Sequence, residues 1–314
     1  MRIPRVKTKD LLTVTDLSRD EVFDLFKLSA KLKKDMKRGK YRQCLKNSSL
    51  AMIFDKRSTR TRVSFETGIC QLGGNALFLN SDDIQIGRGE TFEDTACVLS
   101  RYVNGIMIRT FAHENVERLA QHATIPVING LTDSFHPCQA LADFFSIYER
   151  EKDLSQVKMT YIGDGNNVAA SLLLGASLIG MHFSLVCPKK YMPDISIIEK
   201  AYSLSSQSGA RLEITSNIDE GLEGTDYLYT DVWTSMGQEK ESAKRKKAFT
   251  RYRVTAKLME KCSDSCKVMH CLPAHRGEEI DADVMDSDCS IIFDQAENRL
   301  HVQKAIMCIL MQKK

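Results

Sequence analysis

The chain has 314 residues, 43% hydrophobic and 27% charged, which suits two α/β domains better than one small core. Its formal net charge of +3 supplies no global field for nucleic acid or an acidic membrane surface. No run approaches the roughly eighteen apolar residues of a membrane span, the start is too briefly basic for an organelle transit peptide, and the ten cysteines read as reduced thiols of a cytoplasmic protein, since Cys70, Cys97, Cys138 and Cys308 sit inside helical patterns.

The first element is an amphipathic helix in "DLSRDEVFDLFKLSAKLKKDM", with Ser18 as its expected N-cap and Val22, Leu25, Phe26 and Leu28 on one face. "SSLAMIF" follows as a buried strand, then a helix over residues 61–72 stopped by Gly73 and Gly74. The alternation continues through "NALFLN", "TFEDTACVLSRYV", "GIMIRT", "ENVERLAQHA" and "IPVING". It predicts a mostly parallel sheet with helices on its faces.

A long helical pattern, "HPCQALADFFSIYEREKD", is read as the link between domains. A second series then runs from the strand "KMTYIGD" through the helix "NVAASLLLGASLIG", the strand "HFSLVCP", the helix "ISIIEKAYSLSSQSG", the strand "RLEITS", a turn and helix at "IDEGLEG" and the strand "YLYTDVW". It closes with strands at "KVMHCLP" and "SIIFDQ" and a final amphipathic helix, "ENRLHVQKAIMCILMQKK". The expected fold class is therefore α/β, with two domains, each a mostly parallel sheet flanked by helices, and the C-terminal helix packing back on the first domain. The boundaries read as 1–136 with 297–314, a linking helix over 137–153, and 154–296.

Chemistry gathers at element ends. In "FDKRSTRTRVSFETG", Ser58, Thr59, Arg60, Thr61 and Arg62 stand where a strand hands over to a helix, and exposed N–H groups, hydroxyls and guanidinium forks there suit a phosphate. A solvated cap with surface arginines is the plainer reading. Arg109 closes "GIMIRT", and His136 and Gln139 open the linking helix, so all three fall where open α/β sheets bind ligands. "YIGDGNNV" mimics a dinucleotide fingerprint but lacks its third glycine and the later acidic residue, so a tight turn presenting Asn166 and Asn167 fits better.

Asp231, at a strand end before Ser235, Met236 and Gly237, could hold an amine. The basic run from Lys244 to Lys247 reads as a solvated loop or helix face rather than a nucleic-acid patch. Cys262, Cys266, His270 and Cys271 make a weak zinc set, because strand neighbours point to opposite faces. The same alternation argues against a His270 and Cys271 dyad and leaves Cys271 available to a substrate.

With these residues in place, the sequence resembles the aspartate and ornithine carbamoyltransferase family from about Thr8 to the C-terminus. "STRTR", "HPCQ", "DVWTSMG" and "HCLP" occur in family order and spacing; the first two mark carbamoyl-phosphate binding, and the last two point to ornithine over aspartate. The resemblance implies that Ser58, Thr59, Arg60, Thr61 and Arg109 hold the phosphate of carbamoyl phosphate. Arg109, Thr61 and His136 would polarise the carbonyl, Gln139 would bind the carbamoyl amine, and Arg299 would lie near that group. Gln85 resembles a glutamine that reaches into a neighbouring subunit's site, which implies at least a homotrimer.

On the amino-acid side, Asn167, Asp231, Ser235 and Met236 would fix L-ornithine, with Cys271 and Leu272 beside the reacting δ-amine. The implied reaction is carbamoyl transfer to that amine, giving L-citrulline and phosphate in arginine metabolism, with no metal or organic cofactor. Alternatives are a carbamoyltransferase for another amine, such as putrescine, and a catalytically silent relative.

Overall fold

The computed structural model describes residues 3–86, 89–151, 153–234, 237 and 239–312. Ser235 and Met236 lie outside them. Two compact units emerge, one of residues 1–145 with 298–314 and one of residues 146–297.

In the first unit the strands are β1 (Ser49–Phe54), β2 (Asn75–Asn80), β3 (Gly105–Arg109) and β4 (Val127–Leu131). The helices are α1 (Arg19–Lys37), α2 (Thr59–Gln71), α3 (Phe92–Tyr102), α4 (His113–His122) and α5 (Pro137–Tyr148), whose last residues enter the second unit. The four strands pair in parallel in the order β2-β1-β3-β4. β1 and β3 are buried along nearly their whole length, which is why they read as continuous apolar runs. Between sheet and helices, Ile53, Ile106, Ile108, Val116 and Leu119 form part of one core.

Local signals act where the sequence placed them. Ser18 caps α1 by accepting from the Glu21 amide, and Glu21 Oε2 returns the bond to the Ser18 amide at 2.8 Å, a capping box. α5 is shorter than its pattern: the chain turns off after Tyr148, with Arg150 and Glu151 amides both donating to the Ile147 carbonyl.

In the second unit the strands are β5 (Lys158–Ile162), β6 (His182–Val186), β7 (Leu212–Thr215), β8 (Tyr227–Thr230) and β9 (Lys267–His270). They form a five-stranded parallel sheet in the order β7-β6-β5-β8-β9. Its helices are α6 (Asn167–Ile179), α7 (Ile195–Ser208), α8 (Ile218–Leu222), α9 (Ser242–Phe249), α10 (Ala256–Met259) and α11 (Ala282–Met285), and the chain ends in α12 (Ile292–Met311). Trp233, Phe249, Tyr252, Val254, Val268 and Ile280 pack in one core there.

The expected strand "SIIFDQ" is corrected. Only Ser290 bridges Val268, and from Ile292 onward the segment is the first turns of α12. An Ile-rich run has strand propensity, but here it starts a helix that buries Ile292 and Gln295. From Asn298 the helix belongs to the first unit. A Cβ at Gly68 of α2 would meet Met307 Cε at 2.9 Å, and Lys304 Nζ donates to Gln71 Oε1 at 2.8 Å, so the C-terminal helix does pack back on the first unit.

Candidate functional site

Each sheet reverses direction once in its strand order. In the first unit β1 runs out to β2 and then back across to β3, so the switch point lies between the carboxyl ends of β1 and β3, where open α/β sheets bind ligands. The residues after β1 and the last residue of β3 are Ser58 to Thr61 and Arg109. Phe54 and Arg109 are direct partners in the β1–β3 register, and the Asp55 amide donates to the Arg109 carbonyl at 2.9 Å. The strand end thus fixes where the Arg109 guanidinium starts.

Ser58 is the N-cap of α2 and accepts from the Thr61 amide at 3.2 Å. Its hydroxyl donates to Thr61 Oγ1 at 3.1 Å, and Arg299 Nη2 donates to the same oxygen at 3.0 Å. Thr61, Arg109, His136, Gln139 and Arg299 are all nearly or fully buried, while Ser58 and Arg60 are partly exposed and Thr59 is exposed. The cluster therefore has a dry floor of guanidinium, imidazole and hydroxyl groups below an open helix N-terminus.

His136 sits just before α5, where Pro137 suits the first helical turn. Burial is the first cause that holds its imidazole well below the usual range, and Arg299, Arg109 and Arg60 push it further. It is a neutral ring among cations, able to offer one N–H. Gln139 Nε2 donates to Asp143 Oδ1 at 2.8 Å, and its own carbonyl oxygen is buried. Gln85 stands apart, exposed in a bend after β2.

The second unit repeats the logic. β5 leads to β6 and β7 on one side, and β8 returns on the other, so the switch point lies between β5 and β8. Asn166 follows β5 and Asp231 follows β8, and Asn166 Nδ2 donates to Asp231 Oδ2 at 2.8 Å. Asn166 also caps α6, accepting from the Val168 and Ala169 amides. Asn167, the first residue of α6, is partly exposed. The other Asp231 oxygen accepts from the Cys271 thiol at 2.9 Å. The structure so brings Asp231 and Cys271 together; Ser235 and Met236 are outside the described residues.

The dinucleotide likeness of "GDGNN" has a packing cause instead. A Cβ at Gly165 would stand 2.4 Å from the Tyr191 carbonyl oxygen, so glycine is needed for the two segments to meet. The zinc set is not assembled: among the described residues, the groups of three or more ligand-type atoms are Asp231 with His270 and Cys271, and His275 with Glu278 and Glu279. Strand alternation does not separate His270 from Cys271, contrary to the expectation from sequence. β9 ends at His270, and the chain then turns through Leu272 at a positive φ of 59°, so atoms of His270 and Cys271 lie within 4.8 Å of one another.

Two residues escaped the sequence reading. Arg245, inside the basic run, is buried: its guanidinium pairs with Asp164, donates to the Trp233 carbonyl and lies 4.9 Å over the Tyr191 ring. It ties α9 to the segments that carry Asn166 and Asp231. Burial pushes the Asp164 carboxyl up to about 7, against the pull of Arg245 and with the Asp231 charge adding to the rise. Glu279, the second, is buried against His270. Spacing gives no signal for either, since charged residues in such runs are mostly solvated.

Comparison with known proteins identifies the family. Residues 9–149 match the family model described as the carbamoyl-P binding domain of aspartate/ornithine carbamoyltransferase, and residues 155–310 match its Asp/Orn binding domain. The chain is 56% identical to an ornithine carbamoyltransferase of Oceanobacillus iheyensis, over 98% of this chain and 95% of that one, and 50% identical to one of Anoxybacillus flavithermus, over 98% of each. The solved ornithine carbamoyltransferase of Pyrococcus furiosus superposes with a TM-score of 0.94 at 45% identity, covering 99% of both chains. With both family domains matched in order along one chain, this protein belongs to the aspartate/ornithine carbamoyltransferase family.

Proposed function

We propose that this protein is an enzyme that transfers the carbamoyl group of carbamoyl phosphate to the δ-amine of L-ornithine, giving L-citrulline and phosphate. The observation that carries the first half is the convergence of Ser58, Arg299 and the neutral His136 on Thr61 and its neighbours at the N-terminus of α2. The second half rests on Asp231, an acceptor for an α-ammonium group, bonded to both Asn166 and Cys271. Identity of 50% and more to relatives named ornithine carbamoyltransferase favours ornithine over aspartate.

In the mechanism, Ser58, Thr59, Arg60, Thr61 and Arg109 hold the phosphate, and Gln139 takes the carbamoyl amine. The neutral δ-amine attacks the carbonyl carbon, forming the new C–N bond. Negative charge growing on the carbonyl oxygen meets Arg109, Thr61 and one His136 N–H, donors already in place before reaction. The C–O bond to phosphate then breaks, phosphate leaves with the electron pair, and the proton lost by the attacking nitrogen passes to the departing phosphate. Asn167, Asp231, Ser235 and Met236 hold the amino acid, Cys271 and Leu272 serve the reacting amine, and Arg299 supports the carbamoyl side. The first unit would be the carbamoyl-phosphate domain and the second the ornithine domain.

The reading extends to a cytoplasmic homotrimer acting in arginine metabolism. No helix among the described residues is long and apolar enough to cross a membrane. Assembly is supported by apolar side chains on the β2 edge: Leu77 is 44% and Phe78 37% exposed, the Phe78 ring lying under the Arg62 guanidinium, and Val63 on α2 is 53% exposed. An exposed edge strand of this kind is normally blunted or covered. Exposed Gln85 follows β2 and would serve a neighbouring subunit. The test is product formation from carbamoyl phosphate with L-ornithine, beside light scattering of the same sample: an active monomer overturns the trimer, and absence of citrulline overturns the activity.

A further inference from the structure

The turn carrying Cys271 and Leu272 has a side-chain-bearing residue in left-handed backbone, Leu272 at φ 59°. Such a conformation is strained for a residue with a side chain and persists only where its surroundings over-determine it. His270 supplies that constraint. The Leu272 amide donates to His270 Nδ1 at 2.8 Å. A backbone amide can only donate, so Nδ1 is the acceptor and the ring proton sits on Nε2.

Nε2 stands 3.2 Å from Glu279 Oε1, and both side chains are at 0% exposure. The carboxylate is itself held: Oε1 accepts from the His275 amide at 2.5 Å, and the Glu279 carbonyl accepts from the Val254 amide at 2.9 Å. The His270 backbone is pinned too, its amide donating to Gln295 Oε1 at 3.0 Å. A chain of fixed groups therefore runs from Glu279 through the imidazole to the Leu272 amide, and the next residue back, Cys271, donates to Asp231.

We propose that Glu279 is a positioning residue of the reaction: it holds His270 in the Nε2–H tautomer, and His270 holds the Leu272 amide in the turn that aims Cys271 and Leu272. This rests on the ornithine reading above. With Glu279 gone, only the Leu272 N–H still favours the Nε2–H form, and it does so against the cost of burying that N–H without its acceptor. An Nδ1–H ring would face the Leu272 N–H donor against donor, and the turn would have to move. A shift of about 1 Å at a reacting centre costs on the order of a hundredfold in rate.

The test uses the intact chain with Glu279→Gln and Glu279→Leu. The ring tautomer is read by 15N NMR, with the His270 signals assigned by their loss in His270→Asn; turnover is read as citrulline formed, and the phosphate cradle as affinity for inorganic phosphate. Wild type is expected to show protonated Nε2 and unprotonated Nδ1. Glu279→Gln, whose amide oxygen still accepts, is expected to keep the tautomer and most of the turnover. Glu279→Leu is expected to lose the single tautomer and about a hundredfold in kcat, with phosphate affinity unchanged. Nδ1–H in the wild type, wild-type kcat in Glu279→Leu, or equal loss in both variants would overturn the proposal. If Glu279→Leu does not fold, the wild-type tautomer and the turnover of Glu279→Gln decide. A wild type that makes no citrulline overturns the functional reading, and the tautomer, read without turnover, tells that failure apart from failure of the Glu279–His270 link.

Discussion

Arg299 donates to the Thr61 hydroxyl at 3.0 Å although the two residues lie 238 positions apart in the chain. One comes from the C-terminal helix and the other from the first turn of α2, so the end of the chain completes a cradle that its first strand begins. Thr61→Val keeps the shape and removes the hydroxyl. Turnover is expected to fall about a hundred- to a thousandfold, the usual effect of deleting one preorganised donor, and urea denaturation is expected to show a loss of about 1–3 kcal/mol from the buried groups left unsatisfied.

The neutral state of His136 sets an acid limit on stability. Its folded value is lowered, so below the ordinary imidazole value near 6.5 the unfolded chain binds a proton that the folded chain refuses. Stability from this group is therefore fully present above about pH 6.5 and is lost as pH falls, by about 1.4 kcal/mol per pH unit, until the folded ring itself protonates. Urea midpoints between pH 7 and pH 5 should fall more steeply in wild type than in His136→Gln.

Arg245 and Asp164 form a buried pair, 4% and 6% exposed. Arg245→Met strands the Asp164 carboxylate and is expected to destabilise by about 3–5 kcal/mol at alkaline pH, where that carboxyl is ionised. Burial pushes the Asp164 carboxyl up to about 7 even with Arg245 pulling it down, so without the cation it rises further, and the loss should shrink as pH falls toward 7 and the stranded carboxyl takes up a proton. The double variant Arg245→Met with Asp164→Asn should recover much of the stability by chemical denaturation.

How much of this was legible follows from where periodicity carries information. The strand-to-helix handover at Ser58 was readable because a buried parallel strand is a continuous apolar run and a helix start needs a cap, and both signals are local. Arg109 and His136 were readable as element ends. The first turn of α12 was not, since Ile291 and Ile292 favour a strand locally and only their burial beside β9 decides otherwise. Arg245 hides in "KRKK", where each cation looks alike until Asp164, from the loop after β5, selects one. Glu279 reaches His270 only because the chain doubles back through the Leu272 turn, and no spacing rule encodes that.

The apolar edge at β2 predicts an assembly-dependent activity. Leu77→Lys puts charge on that edge while the Leu77 backbone keeps its register opposite Ala51. Light scattering is expected to show dissociation to monomers, with citrulline formation lost in parallel because Gln85 would no longer meet a neighbour's site. A Leu77→Lys chain of unchanged mass and activity would remove this edge from the interface.

The pairing of a carbamoyl-phosphate cradle with an ornithine site is decided by offering the chain carbamoyl phosphate with L-ornithine, and in parallel with putrescine, N-acetylornithine and aspartate, against an Arg60→Ala control. Citrulline is expected from ornithine alone, with the product lost in the control. Product from a different amine in preference to ornithine would contradict the role given to Asp231, and no product from any amine would contradict the assignment of Ser58 to Thr61 as a working phosphate cradle.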